Sequence, residues 1–162
     1  MQRTKSIRLL HKQLKKDSAM SGMGLPDYVV TFRKKDKNEV QIQHDNESFP
    51  VDIWQKYASP VWMDIRQGDT LTKDGAKDND DEKHICPLQL EPISRCLELW
   101  TNPNELVFSP FTGIGSEGYV SLQLGRRFVG AELKESYYNV AKKNLQLALD
   151  RYDNDLLSLM GE

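Results

Sequence analysis

The chain has 162 residues, enough for one modest domain or a piece of one, and its 22 basic and 24 acidic side chains leave a formal charge of only -2. That balance excludes a uniformly basic nucleic-acid coat, and no apolar run approaches the length of a membrane-spanning helix. The two cysteines do not form a C-x-x-C pair, which argues against a disulfide framework or a zinc site; with no charged-then-apolar leader at the start, a reducing cytoplasm is expected.

From Met1 to Ser21 the chain is polar and basic, with Arg3, Lys5, Arg8, Lys12, Lys15 and Lys16 against Asp17 alone. Ile7, Leu10 and Leu14 fall at helical spacing and predict a short amphipathic helix, its basic face either solvated or turned to phosphates. Ser21 to Pro26 reads as a loop. Asp27 to Arg33 is β-branched and aromatic, a predicted strand, followed by a charged turn from Lys34 to Asn38. Val40 to Phe49 is polar and ambiguous. Pro50 to Tyr57 suggests a short helical turn and Ser59 to Ile65 another strand, with Trp54, Tyr57 and Trp62 read as packing groups rather than base-stacking ones.

Arg66 to Lys83 has almost no apolar residue and reads as a loop. Its acidic run, Asp78 to Glu82, is broken only by Asn79 and misses the ligand spacing of a calcium-binding loop. Pro87 suits the first position of a helix running to about Trp100, with Leu88, Leu90, Ile93, Leu97 and Trp100 as its apolar stripe. Cys86, beside that proline, is expected to be a buried, inert thiol. Asn102-Pro103-Asn104 makes a turn.

The most informative stretch follows. Leu106 to Phe108 predicts a short, buried parallel strand. Gly113, Gly115 and Gly118 fit G-x-G-x-x-G, in which the first two glycines turn the backbone sharply toward a ligand and the third lets a helix lie close on its strand. That helix is predicted over Ser116 to Leu124, ended by Gly125. A second strand, Phe128 to Ala131, closes on Glu132, whose carboxylate is placed to accept hydrogen bonds from both hydroxyls of a ribose. A long amphipathic helix, Tyr137 to Leu157, completes the chain. Strand, glycine turn, helix and acidic tip in this order predict an α/β fold holding an adenosine-containing cofactor, without separating a dinucleotide from S-adenosylmethionine.

The flanks separate them. Ser109-Pro110-Phe111-Thr112-Gly113-Ile114-Gly115-Ser116 resembles the Asp-Pro-Phe-x-Gly-x-Gly motif of DNA amino-methyltransferases. His84-Ile85-Cys86-Pro87-Leu88-Gln89-Leu90 resembles their Thr-x-Lys-Pro-Leu-x-Leu motif, and Gly130 to Tyr138 their Gly-x-Glu-x-x-x-x-Tyr segment. The Lys-Pro-type motif precedes the glycine motif, as in the beta class of the family. Ser109 stands where the family has Asp, and Cys86 where it has Lys.

The resemblance implies a Rossmann-like S-adenosylmethionine-dependent methyltransferase fold, in which residues 84–162 form the cofactor-binding part and residues 1–83 adjoin the target-recognition region. It implies S-adenosyl-L-methionine as cofactor, contacted by His84, Pro110, Phe111, Thr112, Gly113, Gly115 and Glu132, and no metal. It implies double-stranded DNA as partner and an exocyclic base amine as acceptor, adenine N6 being the commoner target of the family. The family's catalytic tetrapeptide, [Asp/Asn/Ser]-Pro-Pro-aromatic, is missing: none of the seven prolines is adjacent to another. No catalytic residue is therefore expected here. In the beta-class order that tetrapeptide lies N-terminal to everything present, so the chain reads as the C-terminal part of such an enzyme, or as a non-catalytic module of a split one. In the family fold, the strand carrying the tetrapeptide lies beside Leu106–Phe108. Its absence predicts an open sheet edge, which self-pairing or a missing N-terminal catalytic half would cover.

Overall fold

The computed structural model describes residues 2–3, 15–20, 22, 25–72 and 86–160. Its elements run β1 (Gln2–Arg3), β2 (Leu25–Pro26), α1 (Val51–Ala58), α2 (Leu90–Trp100), β3 (Leu106–Ser109), α3 (Ser116–Gln123), β4 (Arg127–Gly130) and α4 (Glu135–Met160). The strands β1 and β2 form a short antiparallel pair. The organising unit is β3–α3–β4, two parallel strands joined through a helix, with Val107 opposite Phe128 and Phe108 opposite Val129.

Helix α3 can lie close against its neighbours because the residues it presents are small. A Cβ on Gly118 would stand 2.5 Å from the Leu145 side chain and 2.6 Å from the Phe128 ring, so any side chain there would have to displace both. Ser121 on α3 and Ala148 on α4 are fully buried. The core gathers Ile93 and Leu97 from α2, Tyr119 and Val120 from α3, and Ala148 from α4, with Val107 of β3 packed against it. Gly125 takes a left-handed φ of 71° and ends α3 with paired bonds: its N–H donates to the Leu122 carbonyl, and that of Arg126 to Ser121.

The expected burial of β3 is only half realised. Val107 faces the helices, but Leu106 and Phe108 are 54% and 62% exposed, and Val129 of β4 is also exposed. A parallel strand is buried on both faces only when helices cover both. Among the described residues the helices lie on one face, and no strand pairs with the second edge of β3.

Three other expectations change. Among the described residues, Asp27 to Arg33 has no strand partner and remains irregular, with Tyr28 and Phe32 largely exposed; β-propensity alone does not order a segment that lacks a neighbouring strand. Residues 59–65 are likewise irregular. Helix α2 starts at Leu90, with Gln89 at its N-cap, so Pro87 precedes the helix rather than opening it; Pro92 occupies the first turn, where its missing N–H costs nothing. The expected basic amphipathic helix and the loop through Lys83 lie largely outside the described residues.

What holds residues 51–65 to the core is Arg95 on α2, 1% exposed. Its guanidinium lies 5.0 Å from the Tyr57 ring and 5.1 Å from the Trp62 ring. It pairs with Asp64 at 2.7 Å and with Glu91, four residues back on the same helix, at 2.8 Å. Tyr57 and Trp62 thus pack, as expected, whereas Trp54 stays exposed. Burial, reinforced by the Glu98 carboxylate accepting its proton at 3.1 Å, pushes the Tyr57 hydroxyl up to about 12. The hydrogen bond from Arg95 holds the Asp64 carboxyl well below the usual carboxylate range.

Two outcomes follow from this packing. Gly118→Val should destabilise the chain by about 1–3 kcal/mol in urea unfolding, because the overpacked helix has no free volume to enter. The depressed Asp64 pKa adds stability that is fully present above the ordinary carboxylate range, near pH 4, and is lost as pH falls through the lower folded value. Asp64 is 44% exposed, so Asp64→Asn should cost no more than about 1 kcal/mol at neutral pH and should flatten the acid limb of the stability–pH curve.

Candidate functional site

The site is built at the C-terminal end of β3. After Ser109 the chain leaves the sheet through Pro110 and Phe111, and Phe111 is 85% exposed. Thr112 turns inward: it is buried, its N–H donates to the Ala131 carbonyl at 3.0 Å and its hydroxyl lies 3.4 Å from the Ser109 carbonyl. Its side chain packs on Gly130, where an added Cβ would collide with the hydroxyl. Thr112 therefore fixes the turn from its place over Gly130.

Gly113 and Gly115 both have left-handed φ, 57° and 91°. They serve different ends. A Cβ on Gly115 would stand 3.2 Å from the Ala141 backbone, so this glycine lets α4 pass close behind the turn. A Cβ on Gly113 would meet nothing within 4 Å, so its outer side is open to an approaching group. The buried Asn144 of α4 donates to the Ile114 carbonyl at 2.8 Å and ties the turn to the long helix. Helix α3 then starts with Gly115 as N-cap and no side-chain cap. The leading N–H groups of a helix lack intrahelical acceptors and favour an anionic ligand.

Glu132, just beyond β4, closes this arrangement. One carboxylate oxygen accepts the Gly113 N–H at 2.7 Å and the other accepts the Lys134 N–H at 2.9 Å. The sequence motifs at residues 113 and 132, nineteen apart, are thus joined by one hydrogen bond. Each carboxylate oxygen has a second lone pair for a further donor.

The structure therefore brings Pro110, Phe111, Gly113, Gly115 and Glu132 together at one end of the βαβ unit, while His84 lies outside the described residues. Cys86 is exposed, where a buried thiol was expected. Cys96 on α2 is the half-buried thiol, its pKa raised by burial. The sequence reading also missed Glu117 on the first turn of α3, whose carboxyl is pushed up by burial. Its spacing signal was weak, because an acid in the first turn of a helix is ordinary. A cavity of about 900 Å³ lies along α2 and reaches Glu117, and neither Gly113 nor Gly115 lines it.

Similarities to known proteins agree with this architecture. A Type II methyltransferase of Bacillus subtilis, M.BglII, is 33% identical over 89 residues, covering 54% of this chain and 25% of that protein. M.HindIII of Haemophilus influenzae is 24% identical over 121 residues, 72% of this chain and 39% of that protein. The chain spans 17% to 39% of the length of the curated relatives it matches. Among solved structures, a protein from Thermus thermophilus described as a DNA modification methylase, in complex with S-adenosyl-L-methionine, superposes with a TM-score of 0.54. At 20% identity over 77% of this chain and 49% of that one, this likeness shows the shared α/β methyltransferase fold. The sequence profile of the N6/N4 DNA methylases, described as DNA methylase, matches residues 7–143, and the chain belongs to that family.

Proposed function

We propose that this chain holds S-adenosyl-L-methionine for a DNA methyltransferase that modifies an exocyclic base amine, adenine N6 in preference to cytosine N4. The observation that carries the reading is the bond between Glu132 and the Gly113 N–H, which sets an acidic tip against an open glycine turn. The cofactor, when bound, supplies an electrophilic methyl group on a sulfonium. The task of the chain is to bind and orient. Gly113 admits the ligand to the backbone, Gly115 holds the turn against α4, the exposed Phe111 ring offers an apolar face, and the spare lone pairs of Glu132 receive ribose hydroxyls. Pro110 sets the exit from β3, and His84 is assigned to the same site from its motif.

In this reading residues 84–162 hold the cofactor, residues 1–83 adjoin the target DNA, and Arg95 joins the two regions through Asp64. The target base is extruded from the duplex, at roughly a few kcal/mol of lost stacking and pairing. Its amine must then be held by polar groups that this chain lacks, since it has no Pro-Pro tetrapeptide. The chain alone is accordingly inactive and works in the cytoplasm with a catalytic half supplied from outside this sequence. A second reading, a non-catalytic cofactor- or DNA-binding subunit of a split methyltransferase or a self-paired form of the chain, is favoured by the uncovered Leu106, Phe108 and Val129.

Calorimetric titration with S-adenosylmethionine and, in parallel, NAD tests the cofactor assignment. The chain should bind the first and not the second, and Glu132→Ala should weaken that binding about tenfold or more. Binding of NAD alone, or an unchanged affinity in the variant, would overturn the assignment.

A further inference from the structure

The inward stripe of α4, among the described residues, is Val140, Ala141, Asn144 and Ala148. Asn144 is its one polar member. Asparagine is a poor residue for the middle of a helix, and a buried amide is unfavourable unless its hydrogen bonds are made. Asn144 reaches across thirty residues of chain to make one: its Nδ2 donates to the Ile114 carbonyl at 2.8 Å. Ile114 stands between Gly113 and Gly115, and its side chain is buried with Val140.

This bond completes a set of ties on the glycine turn. The peptide joining residues 112 and 113 is held at both ends: the Thr112 carbonyl accepts the Gly115 N–H at 2.9 Å, and the Gly113 N–H donates to Glu132 at 2.7 Å. The peptide joining residues 114 and 115 is held by Asn144 at its carbonyl and by Thr112 at its N–H. The peptide between these two carries the Ile114 N–H, which meets no acceptor among the described residues. A Cβ on Gly113 would meet nothing within 4 Å, so the space beside that peptide is open. We propose that Asn144 is a positioning residue for the cofactor, an assignment that rests on the S-adenosylmethionine reading above. Glycine visits both signs of φ readily, so a turn built on two glycines does not by itself fix the direction of its peptides. By drawing the Ile114 carbonyl toward α4, Asn144 pins the peptide that follows Ile114, as Glu132 pins the one that precedes Gly113. The N–H between them is thereby kept for the ligand. Asn144 does not touch the ligand; it sets the backbone that does.

The test is calorimetric binding of S-adenosylhomocysteine to the full chain and to its Asn144→Leu and Asn144→Asp variants, at about pH 5 and about pH 8. Leu has a similar size and removes the donor at either pH. An Asp carboxyl buried against a carbonyl is driven toward its protonated form, which donates as the amide does. The Leu variant should lose roughly tenfold in affinity at both pH values, the scale of one hydrogen bond. The Asp variant should lose as much at the higher pH and regain most of it at the lower. The wild type, run at both, accounts for titration of Glu132 and of the ligand. Far-UV circular dichroism checks that each variant is folded; should the Leu variant fail to fold, the recovery of the Asp variant decides alone. Unchanged affinity in the Leu variant, or a loss in the Asp variant that does not recover at low pH, overturns the role of Asn144 while leaving the cofactor reading intact. A wild-type chain that binds at neither pH overturns both.

Discussion

Two parallel strands joined through a helix can form a unit only if the helix lies flat on them, and in this chain that requirement falls on Gly118. Its missing side chain leaves room for Phe128 from below and Leu145 from behind. The fully buried Ser121 and Ala148 continue the close approach along α3 and α4. With α3 seated in this way its first turn meets the end of β3, and the chain between them has to reverse within a few residues. The left-handed Gly113 and Gly115 make that reversal possible. Once it is made, the Gly113 N–H lies within 2.7 Å of Glu132. The candidate site is therefore a consequence of helix packing, and its parts stand or fall together.

Among the described residues, the same unit has an uncovered side. Leu106, Phe108 and Val129 alternate with the inward Val107 and Phe128, so the exposed face is as apolar as the covered one. Side chains of this kind are typical of a parallel sheet that is covered on both faces. The chain also matches only a fraction of the length of its relatives. Among the described residues, the apolar face and the unpaired edge of β3 lie side by side on the same strand.

Much of this was legible in the residues, and the reasons are specific. The glycine turn could be read because glycine enters the left-handed backbone of positions 113 and 115 without the steric cost a side chain carries, and the end of α3 because Gly125 does the same at its C-terminus. Glu132 could be placed because it follows a short apolar run of strand length. The segments that misled lack such local constraints. Asp27 to Arg33 has strand-forming side chains, but a strand exists only with a partner, which no local pattern supplies. The burial of Arg95 was invisible because its partners, Tyr57, Trp62 and Asp64, are separated from it by more than thirty residues. Glu91, one turn earlier, was the only local hint. The packing of Thr112 over Gly130 was hidden for a similar reason, because it depends on the second strand.

The central claim is that one ligand-holding surface joins the glycine turn to the tip of β4. Backbone amide chemical shifts of the isotopically labelled chain, followed as S-adenosylmethionine is added, test it most directly. The largest, saturable shifts should fall at Gly113, Gly115, Ser116 and Glu132, with β1 and α1 silent. Shifts spread evenly over the chain, or confined to the residues that line the cavity beside α2, would contradict it.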